Sequence, residues 1–167
     1  DHPGGRDAAA EQFFSLLMRA RIAMGMPALV ARSGDRLLGG AMGYTTEQLD
    51  WPAPIQMEWD ALEHSSPEIA ERFDLYGRIS DAATPLEPHY YLGVIGVAPE
   101  ARGTGTGGAL LQAFCRLSAD DPRSSGVYLE TANPDNVQFY AHHGFEVSGS
   151  AELGTGSLWC LFHRHQR

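Results

Sequence analysis

The sequence predicts a mixed α/β fold in one domain spanning residues 1–167, and three observations carry that expectation. The run Tyr90 to Val97 is aromatic and β-branched and too short for a helix, so it reads as a buried strand. After a glycine-rich turn, Ala109, Leu110, Ala113, Phe114 and Leu117 recur at helical spacing from about Thr106. Val127 to Thr131 is a second strand, and the helix between the two supplies the crossover that parallel neighbours need. With 167 residues and 43% hydrophobic content the chain can bury one sizeable core, which argues for a single domain.

Taken in order, the elements begin with an amphipathic helix from Ala8 to Met24, with Phe13, Leu17, Ala20 and Met24 on one face and Gly25 as terminator. Ala28–Ala31 and Leu37–Met42 flank Ser33-Gly34-Asp35 and read as a hairpin. The segment 44–88 is the least regular. It carries Trp51, Trp59, Phe73 and Tyr76, and Ser65-Ser66-Pro67-Glu68 is a capping box opening a helix to about Asp81. Those aromatics either line a pocket or only cover the sheet. Asn133-Pro134-Asp135 is a helix entrance, Gly144 caps the short helix that follows, and Phe145 starts the next strand.

The turn between the first strand and helix holds Gly103, Gly105 and Gly107. Glycines let successive amides point into one concavity, and a helix start adds partial positive charge, so the segment suits a pyrophosphate. A P-loop is excluded, because Gly107-Gly108-Ala109 stands where Gly-Lys-Ser/Thr is required. Gly103 to Gly108 does satisfy G-x-G-x-x-G, with Glu130 near the ribose-binding distance. Against that dinucleotide reading, Pro99 to Arg102 intervenes after the strand, and too little chain remains for a doubly wound sheet.

Arg102-Gly103-Thr104-Gly105-Thr106-Gly107, after a strand ending V-A-P and before a helix with Leu-Leu, resembles the acetyl-coenzyme A motif R/Q-x-x-G-x-G/A of the GNAT acyltransferase superfamily. Asn133 to Phe145 resembles the same superfamily's N-x-x-x-x-F-Y-x-x-x-G-F block, with one residue more than that spacing between Asn133 and Phe139. Leu129-Glu130-Thr131, Asn136, Phe139-Tyr140, Gly144-Phe145 and Trp159-Cys160 together look most like the puromycin N-acetyltransferase branch. The resemblance is specific from Tyr90 to Phe162 and loose before that, and Thr106 departs from the usual aliphatic residue. It implies a mostly antiparallel sheet with one parallel, splayed strand pair. It also implies a strand and helix ahead of the first helix read here. Neither is in the sequence, so part of the acceptor wall is expected to be missing, or completed by a second copy in a homodimer.

What the resemblance implies chemically is acetyl transfer from acetyl-coenzyme A. The amides from Arg102 to Gly107 would hold the pyrophosphate, and the backbone of Ile95, Gly96 and Val97 would pair the pantetheine arm and supply an oxyanion donor near Val94 to Val97. Gly93 and Gly96 permit a bulge there. Asn133 and Asn136 either bond the pantetheine amides or cap their own helix. Tyr140 is the candidate general acid, since a phenol stays protonated at neutral pH while a departing thiolate needs a proton. Glu130 ranks first as base, ahead of Glu87 and His89. Its other reading is a structural carboxylate at a helix N-terminus.

The net charge of −9 argues against nucleic-acid binding and suits a cationic acceptor. The expected acceptor is a small-molecule primary amine. A protein lysine or N-terminus is the second reading, and a non-catalytic acyl-coenzyme A module and a hydride-transfer enzyme are others. Cys115 and Cys160 show no disulfide or C-x-x-C pattern and read as free and buried. His142-His143 and His163-x-His165 lack supporting ligands, so no metal is expected. No membrane span or signal segment is readable, which makes the cytoplasm the expected compartment.

Overall fold

The computed structural model describes residues 3–47 and 49–166. In chain order the elements are α1 (Pro3–Ala23), β1 (Ala28–Ser33), β2 (Arg36–Tyr44), α2 (Ala53–Glu63), α3 (Pro67–Ala83), β3 (Tyr90–Val97), a 3₁₀ turn at Pro99–Ala101, α4 (Thr106–Asp120), β4 (Gly126–Thr131), α5 (Pro134–His142), β5 (Glu146–Leu153) and β6 (Gly156–Arg164). The six strands form one sheet in the order β1-β2-β3-β4-β6-β5. Every neighbouring pair is antiparallel except β3 and β4, which run parallel with α4 as their crossover. This is the mixed sheet the sequence predicts.

Alternation along β4 sorts the two faces of the sheet. Val127 and Leu129 join Leu110, Leu111, Phe114, Tyr140 and Phe145 in the main core, beneath α4 and α5. Tyr128 points the other way, where it packs with Cys160 and Phe162 against Ile79 and Ala83 of α3. Each fully buried Leu or Phe contributes about 1.5–3 kcal/mol, so α4 is anchored chiefly by Leu110, Leu111 and Phe114.

Three elements differ from expectation. α1 begins before Ala8, because proline is tolerated in a first helical turn. Its most buried side chains are Leu16, Ala20 and Arg21, while Phe13 and Leu17 turn toward a cavity. α2 was not foreseen, although Ile55, Trp59 and Leu62 have helical spacing after the Pro52 start. Its Ile55 packs on Leu16 and Ala20. The Ser66 cap is as expected, with the hydroxyl accepting from the Ile69 amide at 3.2 Å, and α3 runs on to Ala83. Cys160 is buried, but Cys115 is only half-buried, on the flank of α4. Both are free thiols, and burial pushes that of Cys115 up to about 12. Among the described residues no helix is long and apolar enough to cross a membrane.

Candidate active site

β3 and β4 pair only at Tyr90–Val127 and Tyr91–Tyr128. Beyond those pairs the two strands separate, so the edge of β3 from Leu92 to Val97 that faces β4 has no strand partner. The cause lies in β3. Met42 pairs with Val94 and Gly43 with Leu92, leaving Gly93 as an extra residue in a bulge that bends the strand. Ile95, Gly96 and Val97 stay paired with β2 on their other edge. Their free edge offers backbone donors and acceptors to an extended ligand.

At the end of β3 the chain makes the turn that the glycines predict. Gly103 (φ 74°) and Gly105 (φ 82°) are left-handed, a conformation glycine adopts without Cβ strain. Nothing approaches within 4 Å of where a Cβ would sit on either, so the concavity is open. Gly105 is the N-cap of α4 and has no side-chain cap. The first bond of the helix runs from the Ala109 amide to the Gly105 carbonyl, so the amides of Thr106, Gly107 and Gly108 precede it. Thr104 Oγ1 bonds the Ala101 carbonyl at 2.7 Å and lies 2.8 Å from Thr106 Oγ1, which ties the turn together. Arg102 is exposed beside it. Gly107 lies within α4, where a Cβ would make ordinary 3.7 Å contacts with Phe139 and Val97. Glycines without Cβ crowding at a helix N-terminus fit a pyrophosphate.

Across the splay, α5 starts at Asn133, whose side chain accepts from the Asp135 amide at 3.0 Å. Asn133 therefore caps its own helix, and Nδ2 is the group it still has to offer. Asn136 donates to Thr131 Oγ1 at 3.3 Å. Tyr140, one turn further on, is 5% exposed, with its ring against Phe139 and Phe145. Burial pushes its phenol up to about 12, and the hydroxyl makes no hydrogen bond to a described residue. It is a protonated donor with no acceptor of its own.

Glu130 faces the other side of the sheet, away from the N-terminus of α5. Its Oε2 accepts from Tyr76 and Tyr91, each at 2.7 Å, and its Oε1 accepts from Ser80. Desolvation by burial, followed by the Glu130 charge, raises the Tyr76 and Tyr91 phenols, so both hold their protons and donate. The sequence reading missed this cradle. Its signal was present in the i,i+4 spacing of Tyr76 and Ser80 on one helix face, and in Tyr91 standing on the same sheet face as Glu130.

Glu130 opens into a cavity of about 1440 Å³ between the sheet and α1–α3. Phe13, Trp51, Trp59 and Phe73 line it, with Trp59 centred 5.1 Å from both Trp51 and Phe73 and 5.4 Å from Phe13. These aromatics line the cavity, and the surface that Trp51 and Trp59 also cover is the Leu16–Ile55 cluster of α1 and α2. Glu87 and His89 stand at the rim. Glu87 is paired with Arg164 at 3.5 Å, and its own backbone amide followed by Arg164 lowers its carboxyl. Among the described residues no His, Cys, Asp and Glu cluster has the makings of a metal site.

Residues 71–147 match the acetyltransferase (GNAT) domain family, a stretch that contains the splay, the glycine turn, Glu130 and Tyr140. Solved structures share the fold. A protein described as histone acetyltransferase HPA2 and related acetyltransferase, from Corynebacterium glutamicum, is 24% identical with a TM-score of 0.61, over 100% of this chain and 80% of that one. The polyamine N-acetyltransferase of Drosophila melanogaster, which forms N-acetylagmatine, is 14% identical with a TM-score of 0.63, over 83% of this chain and 74% of its own. Ribosomal-protein-alanine N-acetyltransferase from Brucella melitensis is 17% identical with a TM-score of 0.54, over 93% and 78%. At these identities the likeness is one of fold, and the acceptors of the three proteins differ.

Proposed function

We propose that this acyltransferase, built on the GNAT acetyltransferase fold, moves an acetyl group from acetyl-coenzyme A to the primary amine of a small molecule while both substrates are bound. The observation that carries this reading is Glu130, a carboxylate held by three hydroxyls at the floor of an aromatic-lined cavity, where the cavity meets the splay. The likeness to the puromycin branch in residues 129–145 and 159–160 supports a small acceptor with an apolar or aromatic body.

The two sides of the sheet divide the work. Acetyl-coenzyme A, when bound, supplies an activated acyl carbon. The turn from Arg102 to Gly107 suits its pyrophosphate, the free edge at Ile95 to Val97 its pantetheine arm, and the amide nitrogens of Asn133 and Asn136 its carbonyls. An amide on that edge between Val94 and Val97 would bear on the carbonyl oxygen as negative charge develops. Glu130 has about four lone-pair sites, and Tyr76, Tyr91 and Ser80 occupy three. The remaining site on Oε1 accepts the proton the attacking amine must lose. Tyr140 stands on the opposite face. With its phenol pushed to about 12, it stabilises the departing sulfur chiefly by donating a hydrogen bond. Trp59, Phe73 and Phe13 hold the acceptor body by stacking.

The test is a panel of aromatic amines, including puromycin, assayed beside lysine peptides while release of free coenzyme A thiol is followed. Turnover of at least one small amine with kcat/KM well above every peptide is expected. Turnover on peptides alone would overturn the small-molecule reading.

A further inference from the structure

Arg21 has no role in the sequence reading, yet it is the largest side chain in the fully buried core, 2% exposed. It stands on the inner face of α1 beside Ala20 and borders the cavity that holds Glu130. No carboxylate among the described residues pairs with it. Its Nη1 donates back to the Leu17 carbonyl at 2.8 Å, and its guanidinium lies 4.5 Å from the centre of the Tyr44 ring. Its Nε has no partner among the described residues. Nε and Nη2 lie on the edge of the guanidinium that can grip a carboxylate through two parallel bonds, and Nη2 too donates to no described residue.

The position of this fork is set by the bulge. A Cβ on Gly93 would fall 2.0 Å from Nη2 and 2.8 Å from Cζ, so the glycine makes room for the guanidinium. Tyr91 and Tyr128 form the last pair before the splay. Two residues further along each strand, on the same face, come Gly93 with Arg21 above it and Glu130. A cation and an anion thus stand on one face of the sheet, one at each strand of the splay, and no ion pair joins them. A buried guanidinium without a counter-ion is costly, and a ligand anion removes the cost.

We propose that Arg21 binds a carboxylate on the acceptor, and that the acceptor is therefore an amino acid with a bulky apolar or aromatic side chain. Its amine lies toward Glu130, its carboxylate toward Arg21, and its side chain among Phe13, Trp59 and Phe73. The direction of the amine rests on the acetyl-transfer reading; the carboxylate site does not. In the step itself the amine nitrogen forms the new C–N bond, the C–S bond breaks and Glu130 takes the amine proton. The sulfur leaves as a thiolate, which Tyr140 stabilises by a hydrogen bond and which takes a proton from water on release; the product is an N-acetyl amino acid.

Phenylalanine, phenylalaninamide and phenethylamine, which differ only in the carboxylate, are compared as acceptors of the wild-type chain. Phenylalanine is expected to exceed the other two in kcat/KM by about 10²-fold or more, because the site leaves a buried charge unpaired with either analogue. In Arg21→Met that ratio collapses to near one through a higher KM for phenylalanine, and Arg21→Lys recovers only part of it. Binding of N-acetylphenylalanine, followed by calorimetry, reads the same site without turnover and is lost in Arg21→Met while near-UV circular dichroism reports an intact fold. Equal use of all three acceptors, an equal loss on all three in Arg21→Met, or unchanged N-acetylphenylalanine binding in the variant would each overturn the carboxylate site. Failure of transfer with retained, Arg21-dependent binding overturns the acetyl-transfer reading and leaves the carboxylate site standing.

Discussion

The glycine-turn side of the splay lies in one continuous stretch from β3 to α5, whereas the cavity side is assembled from α1, α2, α3 and the strands they cover. On the first side function rests on backbone: left-handed glycines, free amides at a helix start and an unpaired strand edge. On the second it rests on side chains brought together from distant positions, such as Tyr76, Ser80 and Tyr91 on Glu130, or Phe13 against Trp59 and Phe73. A backbone site constrains local sequence tightly, because few residues adopt φ near +80° or leave room for a ligand. A side-chain cavity constrains only the sum of its parts. One side can therefore hold a common cofactor while the other is rebuilt for a particular acceptor.

Disturbing the backbone side has the largest expected effect. Gly105→Val puts a β-branched residue at φ 82° and a side chain into the open concavity, so acetyl-coenzyme A binding is expected to fall below the range of calorimetry in a protein that still melts cooperatively. Affinity within error of wild type would show that the cofactor does not use this turn.

Next comes Tyr140, on the cofactor side of the sheet opposite Glu130. Tyr140→Phe keeps the packing against Phe139 and Phe145 and removes the donor, so kcat is expected to drop by about 10²-fold with little change in acetyl-coenzyme A affinity. The sign of the pH dependence follows from burial. A phenol raised to about 12 is protonated throughout the working range, so its ionisation produces no falling limb in kcat up to about pH 10. A wild-type profile that falls between neutrality and that point, with a flat profile in Tyr140→Phe, would assign the phenol a lower value and a true acid role.

The contrast between the two sides also explains what could be read from sequence. Gly103, Gly105, Tyr140 and Gly144 sit in short motifs whose spacing reflects local geometry, and the parallel β3–β4 pair follows from the strand–helix–strand pattern. α2 escaped because its apolar residues face α1 and not the sheet, which leaves few of them to mark a period. Arg21 escaped because a cation in an amphipathic helix reads as solvated. Its burial depends on Gly93, a residue 72 positions away. The role of Glu130 was readable as chemistry and not as geometry: its position at a strand end was clear, but the helix N-terminus and the hydroxyl cradle compete for such a carboxylate until the face of the strand is known.

The most direct test of transfer across the splay is a comparison of Glu130→Gln with wild type in single-turnover thiol release at saturating acetyl-coenzyme A, alongside cofactor affinity. Because Glu130 sits on the cavity side, the substitution is expected to slow acetyl transfer by about 10²–10⁴-fold while cofactor affinity stays within about threefold of wild type. A Glu130→Gln variant that transfers at the wild-type rate, or that loses cofactor binding and rate together, would contradict a catalytic base on the acceptor face.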